Sequence, residues 1–323
     1  MTGTPLKAVI LDDYQGAALA AGDWSRIAPQ VEVTALQEHL PSPEALAKAV
    51  GDATILIAIR ERTPLRAEHF DRLPALKLVI TFGLANASID LAAASERGIV
   101  VCGADGAGEP TVEMTWALIL AFFRNIPQET VAMRQGGRWQ QTIGIGLQGK
   151  TIGLVGFGRV GQGVARVAAA FGMKPLAYTP NLTAERAAKA GAECAPDLDT
   201  LLDRSDIVSL HVRLNASTRH MIGERQLGRM KPGALLVNTS RGPVVDEKAL
   251  LDALAAKRIG GAALDVFDIE PLPLDHPFRT MDNVLTTPHI GYVTRENYES
   301  NIADAIEGIA CWLSGMPVRR LNG

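Results

Sequence analysis

A chain of 323 residues, 47% hydrophobic and with a formal net charge of −3, is long enough for two domains, each with its own core. Its 32 basic and 35 acidic residues are interspersed, so no basic stripe points to nucleic acid. Cys102, Cys194 and Cys311 lie far apart, which fits neither a disulfide framework nor a zinc site and is what a reducing compartment allows. The opening "MTGTPLKAVILDD" holds an apolar run too short for a signal peptide, and no stretch approaches the length of a membrane span. We expect a soluble cytoplasmic protein whose partner is a small molecule or another subunit, with no nucleic acid, membrane or metal.

In chain order, the short apolar runs "LKAVIL", "VEVTAL", "ATILIAI", "LKLVIT" and "GIVVC" alternate with amphipathic stretches such as "SPEALAKAV" and "IDLAAASERG". Strand and helix in repetition predict a parallel sheet covered on both faces. A long helix follows over residues 111–124, then a loop rich in Gly and Gln, "RQGGRWQQTIGIGLQG". A second alternating series begins there, with strands in "TIGLVGF", "KPLAYT", "DIVSLHV", "ALLVN", "AALDVF" and "NVLTT". A last helix spans residues 294–314. The expected class is α/β, built as two doubly wound parallel-sheet domains. Periodicity alone leaves open which of the two the last helix packs on.

The pattern G-x-G-x-x-G occurs twice. Gly144, Gly146 and Gly149 precede a strand and open no helix, so this first match reads as a loop. Gly156, Gly158 and Gly161 lie between a buried strand and an amphipathic helix that has begun by Val160, the context a dinucleotide site requires. There the first glycine permits a tight turn, the second lets a pyrophosphate approach the backbone, and the third lets helix pack on strand. The phosphates would face the unpaired N–H groups at the positive end of the helix. An NAD site usually adds an acid about 20 residues on, against the ribose 2′-OH. No Asp or Glu lies between Gly161 and Glu185, and Thr179 stands where the acid belongs. Asn181 and Thr183 offer neutral hydrogen bonds there, and Arg186 offers a charge for a 2′-phosphate. NAD against NADP therefore stays open.

Ligands of an open α/β sheet bind beyond the carboxyl ends of its strands. "ALLVN" delivers Arg241 to that rim, "AALDV" delivers Asp265 and then Glu270, and "NVLTT" delivers His289. A guanidinium grips a carboxylate with two parallel hydrogen bonds and polarises a carbonyl. An imidazole protonates the oxygen on which charge develops during hydride transfer, and a carboxylate on its other nitrogen fixes the tautomer. Arg241, Glu270 and His289 are the candidates for these three roles. Asp265, earlier on its strand, is positioned to receive a nicotinamide amide. Reduction is then expected to weaken as pH rises, because the protonated imidazole is the donor.

At these residues the chain resembles the D-isomer-specific 2-hydroxyacid dehydrogenase family. The likeness runs from about Arg60 to the last helix, through "GLVGFGRVGQ", "MKPGALLVNTSRGPVVDEKAL", "GAALDVFDIEPLPLDHP" and "NVLTTPHIG". It implies a catalytic set of Arg241, Glu270 and His289. It also implies cofactor contacts at Gly156, Gly158, Arg159, Val160, Gly161, Thr179, His211, Thr239 and Asp265. By the same resemblance, Arg60 in "IRERTP" is a second carboxylate contact, and the amides of Gly83 and Leu84 in "TFGLANASID" hold the substrate carboxylate. The implied architecture is a Rossmann dinucleotide-binding domain, residues 103–292, inserted into a flavodoxin-like substrate domain, residues 1–102 and 293–323, to which the last helix returns. Three departures stand out: Thr179 for the usual Asp, Ala85 for a second loop glycine, and Arg213 where a proline is common. The implied activity is reduction of a 2-oxoacid to a D-2-hydroxyacid with NAD or NADP, by a homodimer. The alternative is a dinucleotide-sensing corepressor of the same fold, which can keep the same three residues.

Overall fold

The computed structural model describes residues 4–323. The chain divides into two compact units, residues 4–108 together with Val293–Gly323, and Glu109–Tyr292. The first division falls a little past the expected residue 102, because Gly103 and Ala104 still pair with Thr81 and Phe82 and so belong to the first sheet.

In the first unit, strands β1 (Leu6–Leu11), β2 (Val31–Ala35), β3 (Ile55–Ala58), β4 (Leu78–Phe82) and β5 (Val100–Ala104) form one sheet in the order β2-β1-β3-β4-β5. All pairings are parallel, and the order reverses between β1 and β3. β3 and β4 are buried at every residue, "ILIA" and "LVITF", as expected where helices cover both faces. The connecting helices are α1 (Pro43–Val50), α2 (Ala67–Phe70) and α3 (Leu91–Glu96). Ser42 starts α1 by accepting the Ala45 N–H with Pro43 at the first helical position, and Gly51, at φ 58°, ends it.

The second unit opens with α4 (Pro110–Phe123) and α5 (Ile126–Arg134). Its strands are β6 (Thr151–Val155), β7 (Lys174–Tyr178), β8 (Glu193–Cys194), β9 (Ile207–Leu210), β10 (Leu235–Asn238), β11 (Gly261–Leu264) and β12 (Val284–Thr286). They pair in parallel in the order β12-β11-β10-β9-β6-β7-β8, which reverses between β6 and β9. The helices α6 (Arg159–Ala170), α7 (Ala184–Lys189), α8 (Leu198–Arg204), α9 (Glu224–Arg229) and α10 (Glu247–Ala255) join them. Alternate strand residues feed two cores: Ile207, Leu235 and Val237 enter one, Val208 and Leu236 the other. That is the period of two of a strand buried on both faces. The last helix, α11 (Arg295–Leu313), packs on β4 and β5 of the first unit, which answers the question periodicity left open.

Candidate active site

The two glycine motifs part as their contexts suggest. Gly144, Gly146 and Gly149 lie in irregular chain ahead of β6. Gly156 follows β6 at the order reversal with φ 95°, and a Cβ there would stand 2.6 Å from the His211 carbonyl oxygen, just past β9. Gly161 lies flush on the turn, where a Cβ would meet the Gly156 carbonyl oxygen at 2.3 Å. A Cβ on Gly158, by contrast, would meet nothing within 4 Å. Gly158 is the N-cap of the 12-residue α6 and supplies no side chain to its free N–H groups. Tight turn, open approach and close packing thus fall on the three glycines in that order, as a pyrophosphate cradle demands. Arg159 is exposed and Val160 half-buried beside it.

His211 borders this cradle. Its Nε2 is sealed from solvent without a hydrogen-bond partner, and burial lowers its pKa from 6.5 to about 4. An orphaned buried nitrogen next to an open cradle fits a dinucleotide held there by Gly156, Gly158, Gly161 and His211. β7 ends in a turn closed by the Leu182 N–H on the Thr179 carbonyl oxygen at 3.1 Å. Arg186 reaches back from α7 to donate to the Asn181 carbonyl oxygen at 3.2 Å, so a guanidinium sits at the turn where an acid would oppose a 2′-phosphate.

The acid, base and cation come from three neighbouring strands, β11, β12 and β10. His289 Nδ1 and Glu270 Oε2 are 2.5 Å apart, while Glu270 Oε1 accepts the Phe267 N–H at 2.9 Å. Both side chains are largely buried, at 13% and 25% exposure, so the pair interacts at reduced screening. The His289 ring also meets Tyr292 edge-on, with ring centres 5.6 Å apart. Arg241 is aimed by Asn238, whose amide donates to the Arg241 carbonyl oxygen and whose side-chain oxygen accepts from Ser240. The Arg241 guanidinium donates to the Ser240 carbonyl oxygen. Thr239, between them, shares a 2.9 Å hydroxyl contact with Thr115 of α4. Gly242 seats the Arg241 turn directly on the Glu270 loop: a Cβ there would stand 2.1 Å from the Phe267 carbonyl.

Asp265 does something sequence reasoning missed. Its carboxylate is 1% exposed and accepts the Thr287 hydroxyl at 2.6 Å and the N–H groups of Ile290 and Gly291 at 2.9 and 2.7 Å. It therefore fastens the segment that carries His289. Burial pushes its pKa up, and those three donors together with the His289 charge oppose the rise. Asn238, Thr115, Gly242 and Thr287 escaped notice too. The motif strings contain them, but their partners lie on loops whose paths no periodicity reveals.

Among the residues of the first unit expected on the substrate side, Arg60 holds a left-handed φ of 59° just past β3 and donates to the Phe82 carbonyl oxygen at 3.2 Å. Asn86 donates to the Arg60 carbonyl oxygen at 2.7 Å. Gly83 requires a correction. Its N–H donates to the Ala104 carbonyl oxygen at 2.8 Å and is not turned to a substrate. Its φ of 95° and missing side chain make room for Arg60 instead, whose Nη1 would be 2.0 Å from a Cβ. Leu84 follows it, half-exposed.

A doubly wound sheet with this cradle at its order reversal, and an acid–imidazole pair on the same rim, defines a dinucleotide-dependent oxidoreductase. The family model described as "D-isomer specific 2-hydroxyacid dehydrogenase, NAD binding domain" matches residues 116–291. A D-3-phosphoglycerate dehydrogenase of Methanocaldococcus jannaschii is 42% identical over 78% of this chain and 48% of its own length, so the match spans about half of that relative. A hydroxypyruvate reductase of Thermotoga maritima is 41% identical over 83% of this chain and 86% of its own. The crystal structure of a phosphoglycerate oxidoreductase from Vibrio cholerae superposes with a TM-score of 0.90 at 32% identity, covering 96% of this chain and 99% of that one. The chain belongs to the D-isomer-specific 2-hydroxyacid dehydrogenase family. All three proteins are named as dehydrogenases, reductases or oxidoreductases, and the corepressor alternative finds no support in them.

Proposed function

We propose that this protein transfers hydride between a nicotinamide dinucleotide and a small 2-oxoacid, giving a D-2-hydroxyacid. The observation that carries the reading is the 2.5 Å contact between Glu270 and His289 on the rim that bears the glycine cradle. With Nδ1 held by the carboxylate, Nε2 is the nitrogen left for proton transfer. His289 donates that proton to the carbonyl oxygen in reduction and takes it back in oxidation. Glu270 keeps the tautomer and stabilises the imidazolium. Arg241 grips the substrate carboxylate and polarises the carbonyl. When bound, the nicotinamide supplies the hydride.

The second unit is the dinucleotide domain in this reading, with Gly156, Gly158, Arg159, Val160, Gly161, Thr179, His211, Thr239 and Asp265 as its contacts. Asp265 keeps a nicotinamide role alongside its hold on the His289 segment. The first unit is the substrate domain, in which Arg60 and the Leu84 amide take the carboxylate. Thr179 and Arg186 in place of an acid favour tolerance of NADP(H) beside NAD(H). Homodimerisation is supported by residues 126–145, where Ile126, Val131, Met133, Trp139, Ile143 and Ile145 are all exposed. A cytoplasmic location agrees with three free thiols, and no helix among the described residues is long and apolar enough to cross a membrane. The names of the relatives point to hydroxypyruvate and the oxidised form of 3-phosphoglycerate as first candidates. The test is a panel of 2-oxoacids with NADH and NADPH, read by absorbance. Consumption of either cofactor with chiral D product is expected, and silence across the whole panel overturns the reading.

A further inference from the structure

A second carboxylate–histidine pair lies behind the first. Glu247 is the first residue of α10, and its Oε1 is 3.1 Å from His276 Nε2. The other ring nitrogen of His276 accepts the Phe278 N–H at 3.2 Å. An accepting Nδ1 places the proton on Nε2, which therefore donates to Glu247. The free oxygen of Glu247, Oε2, accepts the Asp268 N–H at 3.4 Å. One residue earlier, the Phe267 N–H goes to Glu270. Consecutive amides of one loop are thus bound by two carboxylates, and one of these is the partner of His289. Gly242 lies so close to the Phe267–Asp268 peptide that its Cβ would be 2.6 Å from the Asp268 nitrogen. On this side the peptide has no room to tilt.

The rest of the loop has few anchors. Ile269 and Leu274 are 65% and 91% exposed, while Leu272 packs partly buried against the core, so hydrophobic burial fixes little of it. Arg279 secures its middle by donating to the carbonyl oxygens of Leu272 and Pro273. Glu247 ties the start of the loop, at Asp268, to its end, at His276, beside the Phe267 ring, which packs on Phe278 with centres 6.5 Å apart.

We propose that Glu247, oriented by His276, is a positioning residue that holds the Phe267–Asp268 peptide and through it aims Glu270 at His289. This rests on the proposed hydride transfer for its effect on rate, but the clamp itself is independent of substrate. A displacement on the order of 1 Å at a proton-transfer pair costs up to about 10²-fold in rate, which leaves room for a sizeable effect from a residue outside the reaction.

The experiment compares Glu247→Ala, Glu270→Gln and the double variant with the unaltered protein. Hydrogen exchange of residues 266–272 is measured without substrate, and turnover with the 2-oxoacid that the panel identifies. In Glu247→Ala we expect exchange in that segment to quicken ~10-fold and kcat to fall ~10-fold, with KM for the reduced cofactor within about twofold. The double variant is expected to be no slower than Glu270→Gln alone, because a residue acting through Glu270 has no further effect once Glu270 is gone. Glu247→Gln keeps an oxygen for the Asp268 N–H and is expected to recover part of the loss. Unchanged exchange in Glu247→Ala, or losses that multiply in the double variant, overturns the proposal. If Glu247→Ala does not fold, His276→Gln is read by the same two measurements. If the unaltered protein reduces no 2-oxoacid, the hydride-transfer reading fails while the exchange data still decide the clamp.

Discussion

His289 carries a backbone φ of 51°, a left-handed conformation that costs a non-glycine residue roughly 1–3 kcal/mol unless its surroundings enforce it. The enforcement is visible in Asp265, which binds the Thr287 hydroxyl on one side of His289 and two N–H groups on the other. Strain at His289 and a buried carboxylate dedicated to its segment belong to one device. Replacing His289 with Gln removes the proposed donor but not the cradle. Turnover should drop by ~10²-fold or more, while NADH binding, followed by fluorescence titration, stays close to that of the parent. Turnover within a few-fold of the parent would remove His289 from the chemistry. Asp265→Asn tests the support. One carboxylate oxygen becomes an NH2 group facing the Gly291 N–H, two donors in a buried place, at a cost of about 1–3 kcal/mol. A lowered urea midpoint together with reduced kcat is expected, and a midpoint equal to the parent's would show that the three hydrogen bonds do not fix the segment.

The β7–α7 turn illustrates what an element contributes beyond its residues. Thr179 follows the strand, Asn181 turns left-handed at φ 64°, and Arg186 comes back from the first turn of α7 to the Asn181 carbonyl oxygen. Thr179→Asp puts a carboxylate beside that guanidinium and opposes a 2′-phosphate. The ratio of kcat/KM for NADH over NADPH should rise ~10-fold or more, the worth of about 1.4 kcal/mol of charge repulsion. An unaltered ratio would mean that position 179 faces away from the ribose. The same turn marks the border of what the sequence reveals. Strands buried on both faces announce themselves as apolar runs, and strand ends then locate Arg241, Glu270 and His289 without any alignment. The three glycines follow from their place between strand and helix. The two-residue β8 carries too short a pattern to be seen. The resemblance of "TFGLANASID" implies an amide donor at Gly83, yet its N–H continues the sheet to Ala104. Asn238, Asp265 and Glu247 act through loop backbone, and their partners are fixed only once the strands that carry those loops are stacked side by side.

For the whole molecule, association and pH dependence are the two properties at stake. If residues 126–145 form the face between two copies, Val131→Glu with Met133→Glu should convert a dimer to a monomer in sedimentation at micromolar concentration, since charges at an interface core leave an apolar partner surface uncovered. A variant that sediments as the parent does would place the interface elsewhere. His211 makes one contribution to stability against pH. In the unfolded chain this imidazole takes a proton near its ordinary pKa of 6.5, while in the folded protein burial holds it neutral down to about 4. Between those values the unfolded state binds more protons, so stability falls as pH falls. The contribution is fully present above about pH 6.5, declines through the window, and stops changing below about pH 4. By pH 5 the loss amounts to roughly 2 kcal/mol. His211→Gln has no charge to gain in either state. Urea unfolding at pH 7.5 and pH 5.0, without cofactor, should therefore give the parent a larger drop between the two conditions than the variant, by about that amount. Equal drops would mean that the imidazole is reached by water or by a proton-sharing partner in the folded state, and the reading of its Nε2 as an orphan awaiting a ligand would fall with it.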